Sequence, residues 1–192
     1  TPSYLVPREQ WLRENDDRTD EQADADWRRV TESIFGANTG ANPRVEEQKE
    51  HWLPRMHAGE VIGCFGLTEP DAGSDLASLR TAAVRDGDDW VVNGQKVWIS
   101  RIQHSDLMIL LARTTPADQV KKRSEGLSCF LIDLKQAIGN GLTVRPILNM
   151  VNHETNELFF DNLEIPEDAL LGEEGKGFKT LLDGLNAERT LI

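Results

Sequence analysis

Residues Leu67 to Asp75, "LTEPDAGSD", crowd three carboxylates, two hydroxyls, a proline and a glycine into nine positions after the apolar run "VIGCFG". Pro70 stops a strand from continuing through a sheet, and Gly73 lets the backbone turn tightly. Ser74 or Asp75 can then cap a short helical turn through "LASLR". Exposed N–H groups beside a strand end suit an anion or a polar heterocycle. A capped turn with nothing bound is the other reading of the same residues. A second stretch, "NGQKVWIS" at 93 to 100, alternates so that Trp98 and Ser100 share one strand face. A flat ring beside a hydroxyl can stack on a planar cofactor and hydrogen-bond to it. The alternative is a core tryptophan with a serine closing the strand.

A third feature lies near the end of the chain. At about 100° per residue, Arg189 falls inside the apolar stripe bounded by Leu181 and Leu182, and Glu188 lies about 20° outside it. Charges at an apolar face must be paired or used. They form either an internal salt bridge or a carboxylate in a dry pocket, poised to take a proton while Arg189 holds it or a ligand.

Three zones would position these residues. Residues 1–60 read as a helical segment, in which the acidic run "ENDDRTDEQADADW" reads equally as a solvated stretch. Its best helix is "RVEEQKEHWL", capped by Asn42, opened by Pro43 and ended at Pro54. Residues 61–171 read as strands, with hairpin signals at Asp86-Gly87 and Asn93-Gly94. Such strands without intervening helices predict an antiparallel barrel or sandwich. No Gly-x-Gly-x-x-Gly follows a strand, which argues against a Rossmann domain. Residues 172–192 open a further helical domain with a helix from Gly177, giving an α+β chain overall.

Composition narrows the function. With 33 acidic against 21 basic residues and a formal charge of −12, the surface repels phosphate backbones, so nucleic acid is not an expected partner. Cys64 and Cys129 lie in apolar strands without Cys-x-x-Cys spacing and read as buried free thiols. The four histidines form no metal-ligand pattern, so no metal is expected. The longest apolar run, Leu107 to Ala112, is too short to span a bilayer, and no signal segment opens the chain. The expected location is therefore the cytoplasm, or the mitochondrial matrix in a eukaryote.

Taken together, "GCFGLTEPDAGSDLASLRTAA", "VVNGQKVWIS" and "GEEGKGFKTLLDGLNAERTLI" resemble the acyl-CoA dehydrogenase family. The resemblance implies a central β domain between helical domains, with most of the C-terminal bundle lying outside this chain. It implies FAD as cofactor, lined by the positions of Phe65, Leu67, Thr68, Gly73, Ser74, Trp98, Ile99 and Ser100. The Ser100 hydroxyl is implied to reach the flavin N5, and Ser74 also to touch the acyl-CoA. After Ser100 the family's usual Asn-Gly pair is replaced by "RIQHSD". The implied activity is α,β-dehydrogenation of an acyl-CoA in fatty acid metabolism, with electrons passed to an electron-transfer flavoprotein. The pair Glu188-Arg189 is similar to that of isovaleryl- and long-chain enzymes, where the glutamate is the base; Asn186 and Arg189 would neighbour the substrate. The implied assembly is a homo-oligomer, a dimer or tetramer. The competing reading is a non-catalytic flavin- or acyl-CoA-binding or assembly piece.

Overall fold

A computed structural model of the protein describes residue 25 and residues 44–150 and 154–191; its description of side chains stops at Leu185. The acidic first segment and the expected Asn42-Pro43 cap lie outside the described residues, as do the side chains of Asn186, Glu188 and Arg189. Helix α1 (Arg44–His57) leads into strands β1 (Gly63–Gly66), β2 (Ala82–Asp86), β3 (Asp89–Ser100), β4 (Leu107–Arg113) and β5 (Leu127–Asp133). A single-turn α2 (Leu134–Ala137), β6 (Leu142–Ile147), β7 (Thr155–Ile165), β8 (Leu170–Leu171) and α3 (Gly177–Leu191) follow. Pro54 does not end α1, which carries on for a further turn to His57.

The strands form one sheet in the order β6-β7-β3-β2-β4-β5-β8, with β1 beside β4. It is mixed rather than purely antiparallel. β1 runs parallel to β4 from Gly63↔Leu107 to Gly66↔Leu110, and β2 meets β4 at the single parallel pair Ala82↔Arg113. Two antiparallel halves, β6-β7-β3-β2 and β4-β5-β8, therefore join at a narrow seam that β1 enters. The sheet does not close: β6 and β8 remain as edges. Of the two predicted shapes the sandwich is nearer, because residues of both halves share one core, with the Trp90 ring edge-on to Phe130 at 5.2 Å.

Strands β4 and β5 explain why "LMILLA" and "LSCFLI" are apolar without interruption. Met108, Leu110, Phe130 and Ile132 point into the core between the halves, while Ile109, Leu111, Cys129 and Leu131 point into a second core under the helices. A strand covered on both faces loses the polar alternation of a half-exposed one. Met56 of α1 and Leu181 of α3 close the second core. Gly177 lets α3 start directly on β5, since a Cβ there would overlap the Ser128–Cys129 backbone. The Cys129 thiol donates to Gly177 O at 3.2 Å.

The two hairpin signals differ in outcome. Asp86 pairs with Asp89, leaving Gly87-Asp88 as a two-residue loop with Gly87 at φ +63°. Asn93-Gly94 is no turn: both residues lie inside β3, opposite a register shift against β7. There Asn162 adopts φ 49°, and its N–H donates to Asn93 Oδ1 at 2.9 Å. Asn93 thus closes a bulge on the neighbouring strand rather than reversing its own.

Candidate functional site

The seam between the halves brings the two singled-out stretches together. The chain leaving β1 crosses to β3, where the Val97 N–H donates to Thr68 O at 2.8 Å. Glu69 and Ala72 exchange backbone hydrogen bonds of 3.0 and 3.1 Å, closing a tight turn about Pro70 and Asp71. That turn returns Gly73 towards Thr68, whose methyl would lie 3.9 Å from a Cβ at 73. Asp75 stands at the start of a short 3-10 turn (Leu76–Ser78) without a side-chain cap bond, so the expected cap does not form. Its carboxylate instead meets Arg123 at 3.1 Å.

A second register shift, between Lys96 and Ile99, breaks the alternation expected of β3. Lys96 and Val97 are both buried, and Trp98 takes a left-handed φ of 62° and is 60% exposed. The bulge therefore overturns the core-tryptophan alternative and presents the ring at the surface. It also places the Ile99 side chain in the core between the halves, 3% exposed, with its carbonyl accepting from Asn156 Nδ2 at 3.1 Å. Ile99 thus has no side-chain surface to offer a ligand. Ser100 is half-buried and pairs with Thr155 of β7. The next residue, Arg101, takes a left-handed φ of 59° and is held by Glu154 at 3.2 Å.

The remaining predicted positions divide by burial. Phe65 and Leu67 are half-buried and pack on the second core, with Phe65 near Leu181 and Leu185 of α3. Thr68 is half-buried, and Gly73 and Ser74 are exposed. The Val97–Thr68 bond and the Glu69–Ala72 turn hold Thr68 and Gly73 in one rim beside the strand from which Trp98 projects, and Ser100 lies two residues further along β3. An exposed ring, an open glycine and hydroxyls at Thr68, Ser74 and Ser100 are groups able to stack on and hydrogen-bond to a planar polar ligand.

Two residues that the site reading passed over sit beneath this rim. Lys96 Nζ lies 2.9 Å from Glu69 Oε1, with the side chains 0% and 7% exposed. Burial works to raise the Glu69 carboxyl, yet Lys96, Thr81 and the Arg80 N–H together hold it below the ordinary carboxylate value. Burial pushes the Lys96 ammonium down to about 8 against the pull of Glu69. The available signal was a lysine inside a strand, followed directly by Val97, Trp98 and Ile99. With Asp71–Arg80 at 3.8 Å and Asp75–Arg123 at 3.1 Å, all three carboxylates of the stretch have a cation. The stretch is thus less repulsive to an anion than its composition implies.

Other cavities lie elsewhere. A cleft of about 930 Å³ opens between α1 and the Leu131–Ala137 and Asn162–Ala169 segments, and none of the predicted site residues lines it. The space below Phe65 is about 10 Å³, room for one water at most. Among the described residues no group of three metal-ligating side chains occurs, and no helix is long and apolar enough to cross a membrane. Both cysteines are buried and free, and burial pushes each thiol up to about 12.

The family model described as the acyl-CoA dehydrogenase middle domain matches residues 64–163, more than half of the chain. The acyl-CoA dehydrogenase FadE26 of Mycobacterium tuberculosis is 40% identical over 148 residues, 77% of this chain and 36% of that protein. The mitochondrial long-chain specific acyl-CoA dehydrogenase of Sus scrofa is 42% identical over 153 residues, 79% of this chain and 35% of that protein. The solved butyryl-CoA dehydrogenase of Megasphaera elsdenii superposes with a TM-score of 0.69 at 32% identity, covering 87% of this chain and 41% of that one. The chain spans about a third of the length of these curated relatives. With the middle-domain match running through both stretches that meet at the seam, the chain belongs to the acyl-CoA dehydrogenase family.

Proposed function

We propose that this chain acts in an FAD-dependent acyl-CoA dehydrogenase, with residues 61–171 as the flavin- and acyl-CoA-binding unit. The observation that carries the reading is the meeting of "LTEPDAGSD" and "NGQKVWIS" through the Val97–Thr68 hydrogen bond, inside a family match. A bound flavin supplies the acceptor for the hydride that leaves the substrate β-carbon. Thr68, Ser74 and Ser100 donate hydrogen bonds to it, Trp98 covers its ring, and the open backbone at Gly73 allows close approach. Ser74, Asn186 and Arg189 hold the acyl-CoA. Glu188 takes the proton from the α-carbon on its carboxylate, a role suited to a base held at an apolar face. Electrons then leave to an electron-transfer flavoprotein, and the working form is a homo-oligomer.

The test is reconstitution with FAD followed by anaerobic addition of acyl-CoA thioesters. The expected result is a yellow protein whose flavin band bleaches. Glu188→Gln should keep the flavin and abolish bleaching, because only the proton acceptor is removed. A yellow protein that never bleaches would mean binding without catalysis. Near-normal bleaching in the variant would move the base role to another residue.

A further inference from the structure

A buried ion pair is a poor device for stability alone, because desolvation of both charges offsets most of their attraction. The Glu69–Lys96 pair has a more specific geometry. Lys96 Nζ donates to Leu67 O at 3.0 Å as well as to Glu69 Oε1. Glu69 in turn accepts from the Arg80 N–H at 2.6 Å and the Thr81 N–H at 2.9 Å. One pair thus ties together β3, the turn after β1 and the entry to β2. A half-buried cation nearby, Arg113, spends its donors on the carbonyls of Ala77, Leu79, Thr115, Arg123 and Glu125. Its charge favours an ionised Glu69 without a direct bond to it. Lys96 is also the last residue before the bulge that turns Trp98 outwards.

We propose that Glu69 and Lys96 are positioning residues: they latch the Leu67–Gly73 turn onto β3 and so fix the spacing of Thr68, Gly73 and Trp98 around the bound flavin. The proposal rests on the flavin reading above, but the latch has a signature of its own. Val97, Glu69 and Ala72 carry the N–H groups whose hydrogen bonds hold the turn in place and closed. If Lys96 is lost, those bonds open locally while the two cores stay shut.

The experiment compares the 192-residue chain with Lys96→Met, Glu69→Gln, the double variant, and Leu142→Ala as a core control. Hydrogen exchange in Lys96→Met should quicken by about tenfold or more at Val97, Glu69 and Ala72 and stay within about threefold at Leu110 and Phe130. FAD dissociation constants should rise about tenfold or more in both single variants and stay near the parent value in Leu142→Ala, despite its lower melting temperature. The double variant leaves no orphaned charge, so it should recover thermal stability without recovering FAD affinity. Uniformly faster exchange across the sheet would overturn the latch, and FAD binding within about threefold of the parent in both single variants would overturn its positioning role. Failure of the parent chain to take up FAD would sink the flavin reading and the positioning role with it, while exchange at the three amides would still decide whether the latch exists.

Discussion

Trp98 holds a left-handed backbone that costs a bulky residue about 1–2 kcal/mol, and its exposed ring recovers little of that by burial. Strain kept at a surface aromatic points to use rather than packing. The sequence reading reached Trp98 as a candidate, but strict alternation could not distinguish a surface ring from a core one. The one-residue bulge that decides it depends on pairing with β7, a partner some 60 residues away. Glu69 makes a testable claim at the same scale. Its folded carboxyl lies below its unfolded value, so its stabilisation is present above about pH 4.3 and is lost as pH falls through the folded value. Glu69→Gln should therefore be less stable than the parent at neutral pH, by up to about 3–5 kcal/mol for the orphaned Lys96. It should also lose less melting temperature on acidification from about pH 5 to pH 3. Parallel acid curves for the two proteins would show that Glu69 titrates alike in both states.

At the scale of elements, most strands were legible because apolar and β-branched runs alternate with turn residues from Gly63 to Ile165. The parallel seam was not. β1 pairs with β4 across an intervening hairpin, and local sequence carries no mark of that crossing. The two Xaa-Gly signals show the same limit, since Asp86-Gly87 turns the chain while Asn93-Gly94 is needed for close approach. A Cβ at Gly94 would overlap Thr81, the residue whose N–H is bound to Glu69, whereas a Cβ at Gly87 meets open space. Gly87→Ala should cost about 1 kcal/mol, for the left-handed φ alone. Gly94→Ala adds a backbone clash and should cost about 2–3 kcal/mol, as measured by urea denaturation. Equal costs would mean that Gly94 contributes only its backbone freedom and that the approach to Thr81 relaxes freely.

For the whole molecule, the consequence of β4 and β5 being shared is that neither core can open alone. The core between the halves and the core under the helices take alternate side chains of the same two strands, so unfolding either one strips the backing from the other. Each core carries one cysteine: Cys64 lies in the first and Cys129 in the second. Both thiols are buried and pushed up to about 12, so a thiol reagent reaches either only from an opened state. Cys129→Ala leaves Cys64 to report on the first core, and Cys64→Ala leaves Cys129 to report on the second. Pulsed labelling across a urea series should then give two curves that coincide, once each is corrected for its variant's own midpoint, and that overlay the loss of circular dichroism. A Cys129 curve that rises well before the Cys64 curve would mean that the helices lift off an intact sheet. That would separate the face carrying α3, and with it Glu188, from the seam where the Leu67–Asp75 and Asn93–Ser100 stretches meet.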